Sequence, residues 1–284
     1  MADRFGIGWR HELSGGILVN LDTIDVIEVL ADDYVDAPRR RLDSIRALAA
    51  AIPVHLHGVS LGLASTEPVD ERRLARLARL VEQIAPESWS EHLAFVRGGT
   101  IEIGHLAAPQ RCAKTIEGSC RNLARARTVV GALPFVENVA TLVEPPGSDR
   151  DEAAWIVDVV GTSGARLLLD LHNLHANAVN FGFSAADFLD RIPVASVATV
   201  HIAGGRWIGC ESRRILDDHR HDVPDPVFDL LAELARRAAQ PLTVILERDG
   251  HYPRFERLLA ELDCARDAVR RGRAAATAGD REVA

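Results

Sequence analysis

The chain has 284 residues, 47% of them hydrophobic, which is enough for one large α/β domain with a single core. Its 33 basic and 41 acidic residues give a net charge of −8, which argues against a nucleic-acid partner, because such partners require a surface that neutralises phosphates. The sequence has no basic leader, no apolar stretch of bilayer length and no CxxC pair, so we expect a cytoplasmic protein without membrane contact.

Short apolar runs alternate along the chain with longer amphipathic stretches, a rhythm that predicts repeated βα units. The predicted strands are Phe5–Gly8, Val26–Val29, Pro53–His57, Ser88–His92, Pro134–Glu137, Arg166–Asp170, Val197–His201 and Leu242–Glu247. The predicted helices between them include Asp70–Ile84, Ala108–Val130, Asp149–Val160 and Pro226–Ala238. We expect one domain over residues 1–265 and a disordered tail over 266–284, where large apolar residues are few.

Charged side chains close six consecutive predicted strands. They are His57, then Glu91 and His92, then Glu137 followed by Asn138, then Asp170, His201 and Glu247, while Glu28 lies near the end of the second strand. Counting alone fits a doubly wound sheet nearly as well as a (β/α)8 TIM barrel. In a TIM barrel, however, the active site gathers at the carboxyl ends of the strands, so this pattern favours the barrel.

These strand-end residues predict a metal site. Any one of them has an ordinary explanation as a helix cap or a solvent-facing group. Placed around one rim, however, the carboxylates would repel one another unless a cation lay among them. His55 shares the strand face of His57, but it would lie one layer deeper, and we interpret it as a core histidine.

Two segments after the sixth and seventh strands add further candidate ligands. They contain Asp170, His172, Asn173 and His175, and Asp217, Asp218, His219 and His221. So many ligands exceed what one ion accepts, which favours two or three ions. Nitrogen and oxygen ligands favour iron, manganese or zinc without choosing among them. The sequence has no GxGxxG or GxxxxGK motif, and no nucleotide or flavin is expected.

The motifs resemble those of a family of multinuclear iron proteins typified by MbnB of methanobactin biosynthesis and TglH of 3-thiaglutamate biosynthesis. The resemblance runs from Gly6–Arg10 to Val244–Asp249, and its strongest pieces are His55–Ser65, Ser90–Phe95, Val136–Asn138, Leu167–Asn180, Val200–Gly205 and Ile215–Phe228. It implies a TIM barrel with two or three irons, including a mixed-valent pair. It also implies an oxygen-dependent enzyme that modifies a cysteine of a ribosomally made precursor peptide, assisted by a small partner protein that binds the peptide's leader.

The resemblance also assigns roles to residues. The implied ligands of the central iron pair are His57, His92, Glu137, Asp170, His201 and Glu247, with Glu137 as the bridge, and those of a more labile third site are Asn173, Asp217 and His219. Glu137, Asp170 and Asn173 are the implied catalytic residues. The residues expected to support the ligands or the substrate are Arg10, Glu28, Glu91, Asn138 and Asn177.

Three positions depart from the usual family pattern. This chain has Gly205 where the family usually has histidine, Arg248 where it has tryptophan, and GHLAAP with His105 in the loop after the fourth strand. We expect the GHLAAP loop and the residues around Gly205–Cys210 to shape the substrate pocket. A second hypothesis is a zinc- or manganese-dependent hydrolase or isomerase on a xylose-isomerase-like barrel acting on a small molecule, and a third is a non-catalytic protein with a structural metal.

Overall fold

A computed structural model describes residues 2–99, 101–210 and 212–283. Its strands are β1 (Arg4–Trp9), β2 (Val26–Leu30), β3 (Val54–Gly58), β4 (Ser88–His92), β5 (Phe95–Gly98), β6 (Ile101–Ala107), β7 (Phe135–Glu137), β8 (Leu167–Asp170), β9 (Val197–Ile202), β10 (Arg206–Ile208), β11 (Arg214–Leu216) and β12 (Thr243–Leu246). Its α-helices are α1 (Ser14–Val19), α2 (Arg39–Ala51), α3 (Glu71–Ile84), α4 (Ala113–Val130), α5 (Glu152–Ser163), α6 (Leu171–Phe181), α7 (Ala185–Arg191), α8 (Asp225–Arg237) and α9 (Phe255–Val283).

Eight parallel strands close into a barrel in the order β1-β12-β9-β8-β7-β4-β3-β2. Taken in chain order, each barrel strand pairs with the next one, and β12 pairs with β1 to close the ring. The predicted TIM barrel is therefore confirmed. Because all barrel strands run the same way, the residues that end them meet at one rim.

The outer helices follow from the apolar periodicity of the sequence, as α3 illustrates. Leu74, Leu77, Leu80 and Ile84 are buried at helical spacing. The Asp70 carboxylate caps the helix by accepting hydrogen bonds from the backbone N–H groups of Arg72 and Arg73. Helix bounds and buried face thus agree with the predicted helix Asp70–Ile84. Among the helices in the part of the chain described, none is both long and apolar enough to span a bilayer.

Two antiparallel hairpins interrupt the βα rhythm at the carboxyl ends of barrel strands. One hairpin, β5–β6, follows β4, and the other, β10–β11, follows β9. The sequence analysis did not predict them, because their strands are short and mostly exposed and so lack a buried apolar run. Their position places both hairpins beside the rim where the strand-end residues gather.

The last helix differs from the sequence expectation. Where a disordered tail was predicted after Arg266, α9 continues to Val283. Ala268 and Val269 are buried, and a Cβ at Gly272 would lie 2.1 Å from the Ala232 carbonyl oxygen of α8. The small residues of this segment permit close packing of α9 against α8. The scarcity of large apolar residues, from which disorder was predicted, therefore does not indicate a disordered tail. The Arg273 guanidinium reinforces the contact by donating to the backbone oxygens of Ala238 and Gln240.

Candidate metal centre

The six strand-end residues implied as ligands of a metal pair lie together at the rim. Register places His92 beside Glu137, and Asp170 beside His201. Glu247 follows β12, whose Ile245 lies beside His201. The donor atoms fall into two groups that share Glu137: the first comprises His57, His92 and Glu137, and the second comprises Glu137, Asp170, His201 and Glu247. Whether these residues bind metal stays a prediction.

In the first group, two imidazoles face one carboxylate oxygen. Nε2 of His57 and Nε2 of His92 each lie 3.3 Å from Oε2 of Glu137. Nδ1 of His57 lies 2.8 Å from the Ser90 hydroxyl oxygen, which leaves Nε2 directed at the group. Burial lowers the pKa of His92 to about 4 and the pKa of His57 well below its usual value. Both rings are therefore neutral at pH 7, which is the form that binds a metal.

In the second group, His201 lies among three carboxylates. Its Nδ1 lies 3.2 Å from Oε1 of Glu137 and 3.1 Å from Oε2 of Glu247, and its Nε2 lies 2.9 Å from Oε2 of Glu28. Burial disfavours the charged ring, yet Glu247, Glu28 and Glu137 raise the pKa of His201 well above its usual value. With a cation bound at Nδ1, the Nε2–H would donate to Glu28, the arrangement that commonly orients a ligating histidine.

Burial disfavours the ionised forms of the carboxyl groups at the rim. Burial raises the pKa of Glu137, and it raises the pKa of Asp170 to about 7. Burial acts on Glu247 too, but the imidazoles of His201 and His219 outweigh it and hold its pKa well below the usual range. Several carboxyl groups are buried here without enough positive charge nearby to stabilise their ionised forms. A bound cation would supply that charge.

A third group comprises His172, Asp217 and His219. Oδ1 of Asp217 lies 2.7 Å from Nδ1 of His172 and 2.9 Å from Nε2 of His219. His219 Nδ1 is 3.2 Å from Oε2 of Glu247, which connects this group to the second one. His219 adopts the left-handed backbone conformation with φ of 50°, an uncommon geometry that is often found at functional sites.

Asn173, implied as a ligand of the third site, lies at the start of α6. Its side-chain N–H donates to the Asn138 carbonyl oxygen, while its backbone N–H donates to the Asp170 carboxylate. These contacts fix the side chain with Oδ1 buried and free to accept. From the sequence, His172 was one of several candidate ligands in this segment and had no assigned role. Its position directly before Asn173 was the signal in the sequence that could have identified His172 as part of the site.

Unpaired buried atoms provide the test of fit for a cation. Among the side chains described, Glu137 Oε2, Asp170 Oδ2 and Asn173 Oδ1 are buried and have no hydrogen-bond partner. Leaving a buried acceptor unpaired costs about 1–3 kcal/mol each. These three oxygens, together with the neighbouring imidazole nitrogens, match the ligand chemistry of first-row metals. The residues therefore fit bound metal ions.

The predicted supporting residues hold the ligands or the wall of the site. Asn138 exchanges two hydrogen bonds with the Asp170 backbone, and Asn177 accepts from Thr141 N–H and donates to the Val139 carbonyl oxygen. The Glu91 carboxyl accepts from the backbone N–H groups of Leu61 and His92. Burial, together with Asp32, raises the pKa of Glu91 to about 8.

Arg10 links the first strand to residues that follow the last one. Its guanidinium pairs with Asp249 and lies 3.8 Å from Oε1 of Glu247. Asp249 also lies 3.6 Å from Nδ1 of His219. The sequence analysis missed Asp249, although a second acid two residues after Glu247 was a signal for it.

The departures from the family pattern fall in different places. His105 lines the cavity at the rim. A Cβ at Gly205 would meet the His172 ring. Arg248 is almost fully buried elsewhere, 2.9 Å from Asp222 and 3.1 Å from Glu261 of α9. Its guanidinium is held by α9, and Arg248 is not among the described residues that line the cavity.

A cavity of about 710 Å³ opens onto all three groups. His57, His92, His219 and Glu247 form its floor. Its walls are mainly apolar and include Leu106 of β6, Leu142, Val143 and Pro145 after β7, and Ile215 and Leu216 of β11. Strands β6 and β11, one from each hairpin, thus contribute apolar wall residues above the polar side chains at the base of the cavity.

Comparison with protein families finds one that spans nearly the whole chain. The sequence profile of the RiPP precursor modification enzymes MbnB/TglH/ChrH matches residues 4–270. A UPF0276 protein of Streptomyces avermitilis is 38% identical over 93% of this chain, which spans only 54% of that relative. A UPF0276 protein of Bordetella bronchiseptica is 32% identical, with 96% of this chain and 95% of the relative covered.

Similar solved structures include barrels of sugar epimerases. D-psicose 3-epimerase from Clostridium cellulolyticum superposes with a TM-score of 0.61 at 14% identity, covering 94% of this chain and 98% of that one. L-ribulose 3-epimerase superposes with a TM-score of 0.61 at 16% identity, covering 100% and 98%. These likenesses place the fold among xylose-isomerase-like TIM barrels and carry no information on the reaction.

Proposed function

Since the chain belongs to the MbnB/TglH/ChrH family of RiPP precursor modification enzymes, we propose that it is a cytoplasmic, iron-dependent oxidase that uses dioxygen to modify a cysteine of a ribosomally made precursor peptide. A small partner protein that binds the peptide's leader would present the substrate. The observation that supports this proposal is the buried group of His, Glu and Asp side chains with unpaired donor atoms beneath an apolar cavity.

The two oxygens of Glu137 support a pair of adjacent ions. Oε2 faces His57 and His92, whereas Oε1 faces His201. A carboxylate so placed can bridge two cations, one held with the two imidazoles and the other held with Asp170, His201 and Glu247. The third group would hold a further ion, giving the two or three irons of the proposal.

Each part of the site would have its own task. Iron with open coordination positions would supply the binding of the cysteine thiolate and of dioxygen and the transfer of electrons between them. The apolar walls exclude water and would hold the residue next to the cysteine. Loss of the thiol hydrogen and one β-carbon hydrogen removes two protons and two electrons from the cysteine. Dioxygen accepts them, and further electrons from the peptide or an external reductant complete its reduction to water.

A zinc- or manganese-dependent isomerase or hydrolase is the competing proposal. The sugar epimerases that share the fold lend it no support beyond architecture at 14% and 16% identity. The apolar side chains that line the walls, such as Leu106, Leu142 and Ile215, offer sugar hydroxyls no hydrogen-bond partner, although His105, Thr141 and Asp218 also line the cavity. The cavity therefore favours a peptide side chain.

Oxygen uptake in the presence of a peptide tests the proposal. The substrate would be a cysteine-bearing peptide encoded beside this gene, supplied with its leader-binding partner, and the control would be the same peptide with that cysteine changed to serine. We expect oxygen consumption and a changed peptide mass with the cysteine peptide only. Turnover that proceeds without oxygen, or equally well with zinc or manganese alone, would rule the oxidase out.

A further inference from the structure

His172 lies at the candidate third site although the resemblance assigns it no role there. It is the second residue of α6, the helix that begins directly after the buried strand-end Asp170. The side chain of His172 is 1% exposed. Its Nδ1 lies 2.7 Å from Oδ1 of Asp217, the same oxygen that lies 2.9 Å from Nε2 of His219. Two imidazole nitrogens thus converge on one carboxylate oxygen.

Gly205 makes room for the ring. A Cβ at position 205, just after β9, would lie 2.6 Å from Cε1 and 3.0 Å from Nε2 of His172. Any side chain here would displace the imidazole. The ring therefore occupies space that a side chain at position 205 would fill, with Nδ1 turned toward Asp217 and the Cε1–Nε2 edge packed against the glycine. The Leu216 carbonyl oxygen, 2.3 Å from the same Cβ position, also requires glycine here.

The spacing of these atoms suits coordination. One donor atom from each of His172, Asp217 and His219 lies within 4.8 Å of the others. Neighbouring ligands each about 2.1 Å from a metal ion lie roughly 3 Å apart, and the separations of 2.7 and 2.9 Å approach this value. Asn173, the next residue in the chain after His172, adds a buried Oδ1 that has no hydrogen-bond partner.

We propose that His172 is a ligand of the third metal ion through Nδ1, completing with Asp217, His219 and Asn173 a site that the Gly205 position makes possible. The proposal rests on the proposed function, because it takes the site to hold metal. It differs from a role in which His172 only donates a hydrogen bond to orient Asp217. A ligand is expected to contribute more to metal affinity than a residue that merely orients one.

The test is a titration of metal-free protein with Co²⁺ under nitrogen, following bound equivalents and the proton NMR signals of imidazole N–H groups shifted by the paramagnetic ion. The variant is His172→Ala, and the matched control is His175→Ala, which removes a partly buried histidine from the same helix outside all three groups. His172→Gln, which keeps the bulk of the side chain, replaces the alanine variant if that variant does not fold.

We expect wild type and His175→Ala to bind three equivalents. His172→Ala should bind the third more than about 100-fold more weakly, beyond the roughly 10- to 100-fold loss typical of a residue that only orients a ligand, and should lack the shifted N–H signal of His172. An unchanged third affinity with all shifted signals retained would overturn the proposal. Wild type that binds two equivalents would also overturn it but leave the metal pair intact, whereas wild type that binds none would overturn the proposed function itself.

Discussion

Glu137 is the residue on which the first two donor groups converge. Its carboxyl is 1% exposed and faces imidazoles on both sides. Replacing it with glutamine leaves the shape nearly unchanged but removes the negative charge, and a neutral amide bridges two cations poorly. We expect Glu137→Gln to lose at least one metal equivalent, as measured by elemental analysis.

Glu91→Gln is the matched control for this change. Glu91 is equally buried at the same rim, but it belongs to none of the three donor groups, and its raised pKa of about 8 makes it neutral at pH 7. The amide should leave metal content at the wild-type value. Full retention of metal by Glu137→Gln would count against a bridging role.

His55 and His57 lie on the same strand and face but at different depths. Burial lowers the pKa of His55 to about 4, and its Nε2 lies 3.8 Å from Glu87, away from the donor groups. We expect His55→Ala to lower the free energy of unfolding by about 2 kcal/mol through the cavity it leaves, with metal content retained. His57→Ala should show the reverse pattern, with metal lost. Urea unfolding and elemental analysis of both variants test this contrast. Loss of metal from His55→Ala would show that His55 is a ligand.

At the scale of elements, the contact between α8 and α9 depends on a glycine. A Cβ at Gly272 would lie 2.1 Å from the Ala232 carbonyl oxygen, so Gly272→Ala forces the helices apart. We expect it to lower the free energy of unfolding by about 1–3 kcal/mol without changing metal content.

Gly161→Ala provides the control for helix propensity. Gly161 lies exposed on α5, and a Cβ there meets no atom within 4 Å. Alanine at this position should stabilise the protein by about 0.5–1 kcal/mol. If the two alanine variants unfolded at the same urea concentration, α9 would not pack against α8 as described.

The barrel strands were predictable from sequence, whereas the elements at the rim were not. Most of the strands are short apolar runs, six of the eight predicted strands are closed by a residue such as His57 or Asp170, and both signals are local. The β5–β6 and β10–β11 hairpins lack such runs, and the packing of α9 depends on small residues whose value appears only against α8. The place of His172 depends on Gly205, which lies 33 positions away along the chain. Sequence spacing alone does not encode such contacts.

At the scale of the whole molecule, the third donor group contains the two most exposed side chains of the three groups. The side chains of Asp217 and His219 are 22% and 13% exposed, whereas those of Glu137 and His201 are 1% and 0% exposed. The ion of the third group should therefore exchange with solvent first. We expect a chelator to remove one equivalent quickly and the others slowly, and Asp217→Asn to abolish the fast phase only. Release of all metal in a single phase would contradict this two-tier arrangement.

We propose that iron holds the strand-end imidazoles and carboxylates together in one pocket. Elemental analysis of protein purified without oxygen tests it most directly. The account predicts two or three irons per chain, falling by at least one in Glu137→Gln. Zinc or manganese in place of iron, or a pocket that retains no metal at all, would contradict it.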